Sequence, residues 1–311
     1  MKYRISIREI IIGLGATIAC SVMAQSLIYF NTDNLTVPSN QLRSGGPPKD
    51  GIPALTRPDM IPVEMATYLQ EDDRIVVVRS GDEVRAYPIP ILNWHEIVND
   101  VIDDTAVAVI YCPLCDSVSV VERLVEDEVL EFGVSGYLYE SNVLMFDRTH
   151  DALWSQIGMT AISGPYAGRS LRHLPWEIVS FGALQEANPE ALVMSRETGH
   201  HRDYASNPYE SYFRRGSPMF PVSKTDRRLP RMEPIVGIRA NNIVRAYPVE
   251  AIVDAKDGRL YDGVHNERLL LEADDSGRVR VVELPSDTQV VHTFWFTWAA
   301  LHPDTEIYRP R

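Results

Sequence analysis

The stretch Val76–Leu92 reads VVVRSGDEVRAYPIPIL, and a close copy at residues 236–252 reads VGIRANNIVRAYPVEAI. Each copy has an apolar run, a turn-forming polar cluster and then V-R-A-Y-P, which predicts two strands joined by a tight turn. A second pair of similar segments follows, NPEALVMS from Asn188 and HPDTEIYR from His302. The same pattern in the same order at two places predicts a repeated structural unit.

The segments around these copies predict many strands and few helices. Residues 89–103 (IPILNWHEIVNDVID) and 175–189 (PWEIVSFGALQEANP) have helical spacing of apolar residues. Strand-like patterns occur at TAVAVIY (105–111), SVSVVERLV (117–125), VLEFGVSGY (129–137) and NVLMFDR (142–148). Gly133 and Gly136 inside one of these strands indicate a bulge or a close backbone approach.

The expected fold class is therefore α+β and β-rich, with two related lobes of antiparallel strands and a few covering helices. The first lobe spans residues 60–204 and contains both cysteines of a C-x-x-C motif. A connector at 205–233 leads to a second, shortened lobe at 234–311. The apolar fraction of 45% is enough for a substantial core.

The amino terminus has the pattern of a membrane segment. Residues 1–9 carry Lys2, Arg4 and Arg8, and residues 10–30 contain no charged side chain. As a helix such a run crosses about 30 Å of hydrocarbon, so we expect a single-pass anchor with a cytoplasmic basic flank and a periplasmic body. The alternative is a signal peptide cleaved after Ala24. The proline- and glycine-rich residues 31–59 are expected to form a tether, parts of which could pack on the domain.

The net charge of −13 excludes nucleic acid as a partner, because phosphate binding requires clustered cations. The connector is locally basic, and we expect it to be a solvated linker rather than a binding site for an anionic partner.

The C-x-x-C motif at Cys112 and Cys115 has three interpretations. Two thiolates can bind copper or zinc, with His95 as the third ligand. The same thiols can cycle between dithiol and disulfide, as in a thiol–disulfide oxidoreductase or assembly factor. In the third interpretation the cysteines only brace a loop in a module that binds a cell-envelope ligand.

Other polar residues could complete a site at the cysteines. His95-Glu96 begins a zinc-protease motif, but Asn99 stands where the second histidine belongs. Glu96 or Asp100 could orient His95. Alternation along a strand predicts that Asp147 and Arg148 point to opposite faces. Two further residues, Trp154 and Gln156, could form a wall beside an ion, whereas His200 and His201 are expected to be a solvated pair.

Several long segments resemble one family. These are GGPPKDGIPAL (45–55), LNWHEIVND (92–100), YCPLCDS (111–117), FGVSGYLYESNVLMFDR (132–148), LWSQ (153–156) and FWFTWAALHPDTEIY (294–308). The chain resembles the bacterial and archaeal family known as domain of unknown function 3179 over roughly residues 45–308. The resemblance implies an exported protein and no established activity, cofactor or substrate. Its motifs fall on His95, Glu96, Asn99, Asp100, Cys112, Cys115, Asp147, Arg148, Trp154 and Gln156.

The leading expectation is an exported, membrane-tethered protein that binds copper or zinc through Cys112, Cys115 and His95. The two other interpretations of the cysteines stay open, and so does enzymatic activity. An envelope redox partner or a metal-delivery partner would fit the first two interpretations, and the sequence indicates no particular small-molecule substrate.

Overall fold

A computed structural model describes residues 26–240, 242–274, 277–286 and 288–310. Over these residues the helices are α1 Ile89–His95, α2 Phe181–Ala187, α3 Glu210–Arg215, α4 Val249–Val253 and α5 Trp295–Leu301. The strands are β1 Leu42–Ser44, β2 Leu55–Thr56, β3 Met60–Pro62, β4 Arg74–Ser80, β5 Glu83–Pro88, β6 Ile97–Ile102, β7 Thr105–Cys112, β8 Ser117–Glu122, β9 Leu124–Val125, β10 Glu128–Val129, β11 Phe132–Tyr139, β12 Asn142–Asp147, β13 Leu153–Ser155, β14 Thr160–Ala161, β15 Trp176–Ser180, β16 Leu192–Met194, β17 Pro234–Ala240, β18 Ile243–Pro248, β19 Arg259–Val264, β20 Glu267–Ala273, β21 Val279–Glu283, β22 Thr288–Phe294 and β23 Glu306–Ile307.

The strands form several sheets in which antiparallel pairing predominates, as expected. The largest sheet has eight strands in the order β2-β6-β7-β8-β22-β17-β18-β23. Two five-stranded sheets have the orders β15-β4-β5-β16-β3 and β1-β11-β12-β13-β14, and β19-β20-β21 form a smaller sheet. The largest sheet joins both parts of the chain, because β8 pairs with β22 through Val118 and His292. The stretches predicted as separate lobes therefore share one sheet.

The sequence repeat corresponds to a repeat in strand pairing. The hairpin β4–β5 is followed by α1, and the hairpin β17–β18 is followed by α4. The last strand of each pattern, β16 or β23, then pairs in parallel with the V-R-A-Y-P strand, β5 or β18. The two sequence similarities thus mark the same three-strand arrangement.

The predicted helix at 89–103 is wrong beyond His95. The chain turns at Glu96, whose φ of 58° lies in the left-handed region, and β6 follows at once. Ile97, Val98 and Ile102 are buried in the hairpin with β7, where β-branched residues pack well. The predicted helix at 175–189 likewise begins as β15. Its helical part starts only after Ser180, whose hydroxyl caps α2 by accepting from the backbone N–H of Ala183.

The proline-rich segment at 31–59 is an ordered arm on the domain rather than a loose tether. Its strand β1 pairs with β11, and the backbone N–H of Asp50 donates to the carbonyl of Val134. Gly136 has a φ of +76°, and a Cβ there would lie 2.1 Å from the carbonyl oxygen of Pro47. The glycine therefore permits the close approach of the arm, and the register of β11 with β12 shifts beside it.

The expected anchor at residues 10–30 lies mostly outside the described residues. At its carboxyl end, Ser26–Tyr29 form a single 3-10 turn. Phe30 is buried and packs edge-on against Tyr137 and Phe146, with ring centroids 5.9 and 5.6 Å away. Among the residues the structure describes, no helix has the length and apolar character needed to cross a membrane.

Candidate functional site

The two cysteines lie at the turn between β7 and β8, in the centre of the largest sheet. Cys112 ends β7 and pairs with Ser117, and the backbone N–H of Cys115 donates to the carbonyl of Cys112. Both thiols are free and buried, and their sulfur atoms are 3.3 Å apart. They share a hydrophobic core cluster with Trp154, Trp295 and Trp298.

The surroundings make the two thiols chemically unequal. Burial alone would raise the pKa of Cys112, but hydrogen bonds from Cys115 and from the backbone N–H groups of Val143, Cys115 and Leu114 lower it below its ordinary value. Burial and the neighbouring Cys112 sulfur raise the pKa of Cys115 well above its ordinary value. Either thiol could donate across the 3.3 Å gap. The Cys115 thiol also donates to the carbonyl oxygen of Ser141 at 3.1 Å, whereas the Cys112 sulfur faces several backbone N–H groups.

A buried amide and hydroxyl network lies next to Cys115. Gln156 accepts hydrogen bonds from the Ser117 hydroxyl at 2.8 Å and from the Asn142 amide at 2.5 Å, and it donates to Ser119 at 2.9 Å. The same Asn142 amide lies 3.7 Å from the Cys115 sulfur. Gln156 is thus near the cysteines as predicted, whereas Ser117 and Ser119 were not among the candidates. The alternation S-V-S-V along β8, which puts both serines on one face, could have indicated them.

Glu96 is the buried carboxyl group of this site. It occupies the sharp turn between α1 and β6, and its carboxylate accepts a hydrogen bond from the Tyr209 hydroxyl at 3.4 Å. The pKa of Glu96 is raised to about 8, mainly by burial and to a smaller extent by the negative charge of the Cys112 thiolate. Glu96 is therefore electrostatically coupled to the more acidic thiol and largely holds its proton at neutral pH. The predicted role of orienting His95 does not match these contacts.

His95 is engaged by other groups. Its Nδ1–H donates to the carbonyl oxygen of Pro53 at 2.8 Å, so its Nε2 accepts from the Tyr204 hydroxyl at 2.7 Å. Burial lowers the pKa of His95 to about 4. Its ring lies 5.2 Å from that of His200, which is exposed together with His201, as expected for a solvated pair.

The predicted metal site of Cys112, Cys115 and His95 is not assembled in this structure. Both ring nitrogens of His95 have protein partners, one of them on the arm. In the described parts of the chain, no group of three or more His, Cys, Asp or Glu side chains is arranged to hold a metal ion. The described residues therefore offer no third His, Cys, Asp or Glu ligand beside Cys112 and Cys115, and they do not fit the predicted three-ligand site.

Asn99 and Asp100 support the sheets. The Asn99 carboxamide exchanges two hydrogen bonds of 2.8 Å with the backbone of Phe132, which ties β6 to β11. Asp100 accepts from Arg85 at 2.8 Å and from Tyr87 at 2.7 Å. These contacts account for both side chains without a role in orienting His95.

Asp147 and Arg148 point to opposite faces, as predicted. Asp147 is buried and accepts from the indole N–H of Trp154 at 2.8 Å and from the backbone N–H of His150 at 2.7 Å. Arg148 lies at the surface in a two-bond ion pair with Asp50. Trp154 packs edge-on against Phe132 in the core. These residues hold β12, β13 and the arm together.

Most of the connector is exposed, as expected of a solvated linker, but one of its residues packs against the C-x-x-C turn. Tyr212 in α3 is buried, and its hydroxyl donates to the carbonyl of Leu114 between the two cysteines at 2.6 Å. Farther along, the Ser141 hydroxyl donates to the carbonyl of Phe220, and the backbone N–H of Ser223 donates to Glu140. We name residues 207–223, which make these contacts, the covering segment.

Comparison with known proteins gives one assignment. No curated protein and no solved structure matches the chain. The family model described as "Protein of unknown function (DUF3179)" matches residues 49–287, a range that includes the last part of the arm, the C-x-x-C turn and the covering segment. The chain therefore belongs to the DUF3179 family.

Proposed function

We propose that this chain is an exported thiol–disulfide redox protein, with Cys112 as the attacking thiolate and Cys115 as the resolving thiol. The supporting observation is the unequal hydrogen bonding of two sulfurs 3.3 Å apart: Cys112 faces backbone N–H donors, and the Cys115 thiol donates to the carbonyl oxygen of Ser141. A thiolate stabilised beside a protonated partner thiol is the arrangement that disulfide exchange requires.

The geometry supports redox chemistry over metal binding. At a Zn–S distance of 2.3 Å, two tetrahedral thiolate ligands lie about 3.8 Å apart, which is longer than the observed 3.3 Å. The expected third ligand, His95, has other partners on both nitrogens. Binding of copper or zinc by the two thiols alone stays a prediction, and the experiment below includes it.

The proposed reaction exchanges two electrons with an external disulfide, carried by an envelope protein or a small thiol compound. The Cys112 thiolate attacks one sulfur of that disulfide, and the other sulfur leaves as a thiolate and takes up a proton. Cys115 then loses its proton and attacks the Cys112 sulfur, which releases the second partner thiolate. The two cysteines lose two electrons and two protons, and the partner becomes a dithiol.

Glu96 is the proposed holder of the proton that Cys112 loses. Its carboxyl group is buried and coupled to the thiolate, so the two groups compete for one charge in a poorly solvated site. When Cys112 enters a disulfide its negative charge disappears, and Glu96 then releases its proton more easily. The Tyr209 hydroxyl orients the carboxyl group.

Export and membrane attachment are part of the proposal. The basic flank and apolar run at the amino terminus support export to an oxidising compartment, where disulfide chemistry operates. Because Phe30 packs in the domain, the apolar run that remains for a membrane segment is residues 10–25. That length of 16 residues would span about 24 Å as a helix, which favours a cleaved signal peptide over the single-pass anchor.

The test uses the full chain with Cys20→Ser, so that Cys112 and Cys115 are the remaining thiols. The protein is equilibrated in glutathione buffers of graded potential, quenched with acid and alkylated, and its mass is measured. Cys112 and Cys115 should oxidise together in a single two-electron step. In the Cys115→Ser variant a glutathione adduct should accumulate on Cys112, whereas in Cys112→Ser the remaining Cys115 should react poorly.

Two results would contradict the redox proposal. One is a pair that no buffer oxidises or reduces, which would leave the cysteines as a brace in a ligand-binding module. The other is copper or zinc at one equivalent per chain in elemental analysis of the same preparation, lost in Cys112→Ser. That result would favour the metal-binding alternative.

A further inference from the structure

The hairpin turn between β11 and β12 lies against Cys115. Its two central residues, Glu140 and Ser141, have φ values of 49° and 65°, and neither is glycine. A two-residue turn with both φ values positive normally contains glycine or asparagine, because most side chains are strained in the left-handed region. Such strain persists only where the surrounding structure holds it, and it is concentrated at functional sites. The contacts of this turn with its neighbours therefore keep it in a strained conformation.

One of these contacts comes from the resolving thiol. The Cys115 thiol donates to the carbonyl oxygen of Ser141 at 3.1 Å, and the two residues are only 0% and 3% exposed. A disulfide has no S–H group, so oxidation of Cys115 removes this donor. A buried carbonyl oxygen that loses its donor destabilises the structure around it. The turn is therefore held more weakly in the oxidised protein than in the reduced one.

The same two turn residues bind the end of the covering segment. The carboxylate of Glu140 accepts from the backbone N–H of Ser223 at 2.7 Å, and the Ser141 hydroxyl donates to the carbonyl of Phe220 at 3.4 Å. Residues 217–223 are otherwise exposed or only partly buried. Segments with few buried contacts open at a low cost in free energy. A change in the turn is therefore passed directly to residues 217–223.

Other contacts of the same region do not depend on the oxidation state. The hydroxyl of Thr297, a fully buried residue of α5, donates to the backbone carbonyl of Glu140 at 2.8 Å. The Tyr212 hydroxyl in α3 donates to the carbonyl of Leu114. Neither contact involves a sulfur atom. Loss of the S–H donor therefore loosens the turn and residues 217–223, while the hairpin and α3 stay in place.

We infer that the turn at residues 140–141 is a redox switch, an inference that rests on the proposed thiol–disulfide function. In the reduced state the Cys115 thiol holds the turn, and the turn holds the end of the covering segment. When an external disulfide takes two electrons from the pair, Cys112 and Cys115 release two protons and form a bond, and the external disulfide becomes two thiols. The turn then loses its donor and residues 217–223 loosen. The oxidised pair is thereby more accessible to the thiol that reduces it than the reduced pair is to other reagents.

The test is hydrogen–deuterium exchange of the full chain with Cys20→Ser, measured by mass spectrometry over residues 217–224. This stretch includes the Ser223 amide that donates to Glu140. With the pair oxidised to its disulfide, exchange there should be about tenfold faster than with the pair reduced, the effect of one lost hydrogen bond. The β4–β5 hairpin should exchange equally in both states.

Three variants, all kept reduced, test the donor without any disulfide exchange. Cys115→Ala removes the donor, so residues 217–224 should exchange as fast as in the oxidised protein. Cys115→Ser keeps a hydroxyl that donates to Ser141 and should stay as slow as the reduced protein. Cys112→Ala is the matched control, because it removes the same atom from the same motif and leaves the Cys115 thiol; it should also stay slow.

Failure of the switch is distinguishable from failure of the redox function. A pair that no buffer oxidises would overturn both. A pair that oxidises while residues 217–224 exchange at one rate in both states would overturn the switch alone. Equal exchange rates for Cys115→Ala and Cys112→Ala would also overturn the switch.

Discussion

At the scale of single residues, neighbouring groups give two chemically identical thiols different pKa values. Cys112 and Cys115 are both buried thiols, yet backbone N–H donors favour the thiolate of Cys112, and Cys115 keeps its proton. Glu96 is the third member of this set, because the negative charge of Cys112 adds to burial in raising the pKa of its carboxyl group. The chemistry of the motif therefore lies in the backbone around it as much as in the sulfurs.

Glu96→Gln should change how stability depends on pH. The pKa of Glu96 rises from 4.5 in the unfolded chain to about 8 in the folded one. Between these values the unfolded chain has released the proton and the folded chain has kept it. Stability therefore falls as pH rises through this window, by up to about 4 kcal/mol. Urea unfolding at pH 5 and pH 9 should show a smaller fall for Glu96→Gln than for the wild type. Equal falls would mean that Glu96 ionises normally.

At the scale of elements, the repeated V-R-A-Y-P strand has a structural explanation. Arg85 and Tyr87 both donate to Asp100 in β6. In the second copy, Arg245 and Tyr247 donate to Asp262 in β19 at 2.6 and 2.8 Å. Each V-R-A-Y-P strand thus binds one carboxylate of the hairpin that follows its helix. We name this contact, in which an arginine and a tyrosine donate to one aspartate, the latch. Both copies of the motif keep the arginine and the tyrosine that the latch needs.

The two latches offer a matched pair of variants. Tyr87→Phe should cost about 2 kcal/mol of unfolding free energy, because the side chain of Asp100 is only 4% exposed and water cannot replace the hydroxyl. Tyr247→Phe should cost about 1 kcal/mol, because Asp262 is 22% exposed. Urea unfolding of both variants measures the difference, and a larger loss for Tyr247→Phe would contradict this account.

The arm offers a second pair. Gly136→Ala should destabilise the protein by about 3 kcal/mol, since it adds a steric conflict with Pro47 to the cost of a positive φ. Gly168→Ala meets nothing within 4 Å at a φ of +87° and should cost only about 1–2 kcal/mol of backbone strain. Limited proteolysis should show early cleavage in residues 31–59 for Gly136→Ala alone. Equal behaviour of the two variants would mean that the arm does not depend on Gly136.

At the scale of the whole molecule, the connector and the arm supply hydrogen-bond partners to residues around the C-x-x-C turn. The arm supplies Pro53 to His95, and the covering segment supplies Tyr209 to Glu96 and Tyr212 to the C-x-x-C turn. We expect access to the thiols to depend on displacement of the covering segment, because Tyr212 lies against the C-x-x-C turn. Local openings of this kind cost less than global unfolding.

Tyr212→Phe should make the thiols easier to reach. The substitution removes the hydrogen bond to Leu114 and keeps the ring, so opening of the covering segment should become easier by about 1 kcal/mol, or about fivefold. Alkylation of Cys112 by a small maleimide under native conditions should be faster by that factor. Arg214→Gln, on the exposed side of the same helix, is the control. An unchanged rate for Tyr212→Phe would show that reagents reach the thiols by another route.

The sequence by itself determined the local and periodic features of this protein. Strands β7, β8, β11 and β12 follow from alternation or continuous apolar runs, and V-R-A-Y-P marked a real repeat of pairing. The opposite directions of Asp147 and Arg148 follow from the same period. These features depend on neighbours along the chain, which a sequence displays directly.

Only the tertiary structure decided which distant groups meet. Residues 89–103 have helical spacing of apolar residues, yet residues 97–102 form strand β6. The burial of Ile97 and Val98 against β7 outweighs the local preference for a helix. His95 contacts Pro53 and Tyr204 instead of the cysteines, and a proline-broken connector brings Tyr209 and Tyr212 to the site. Such contacts join residues far apart in the chain, and their energies depend on burial that no local pattern encodes.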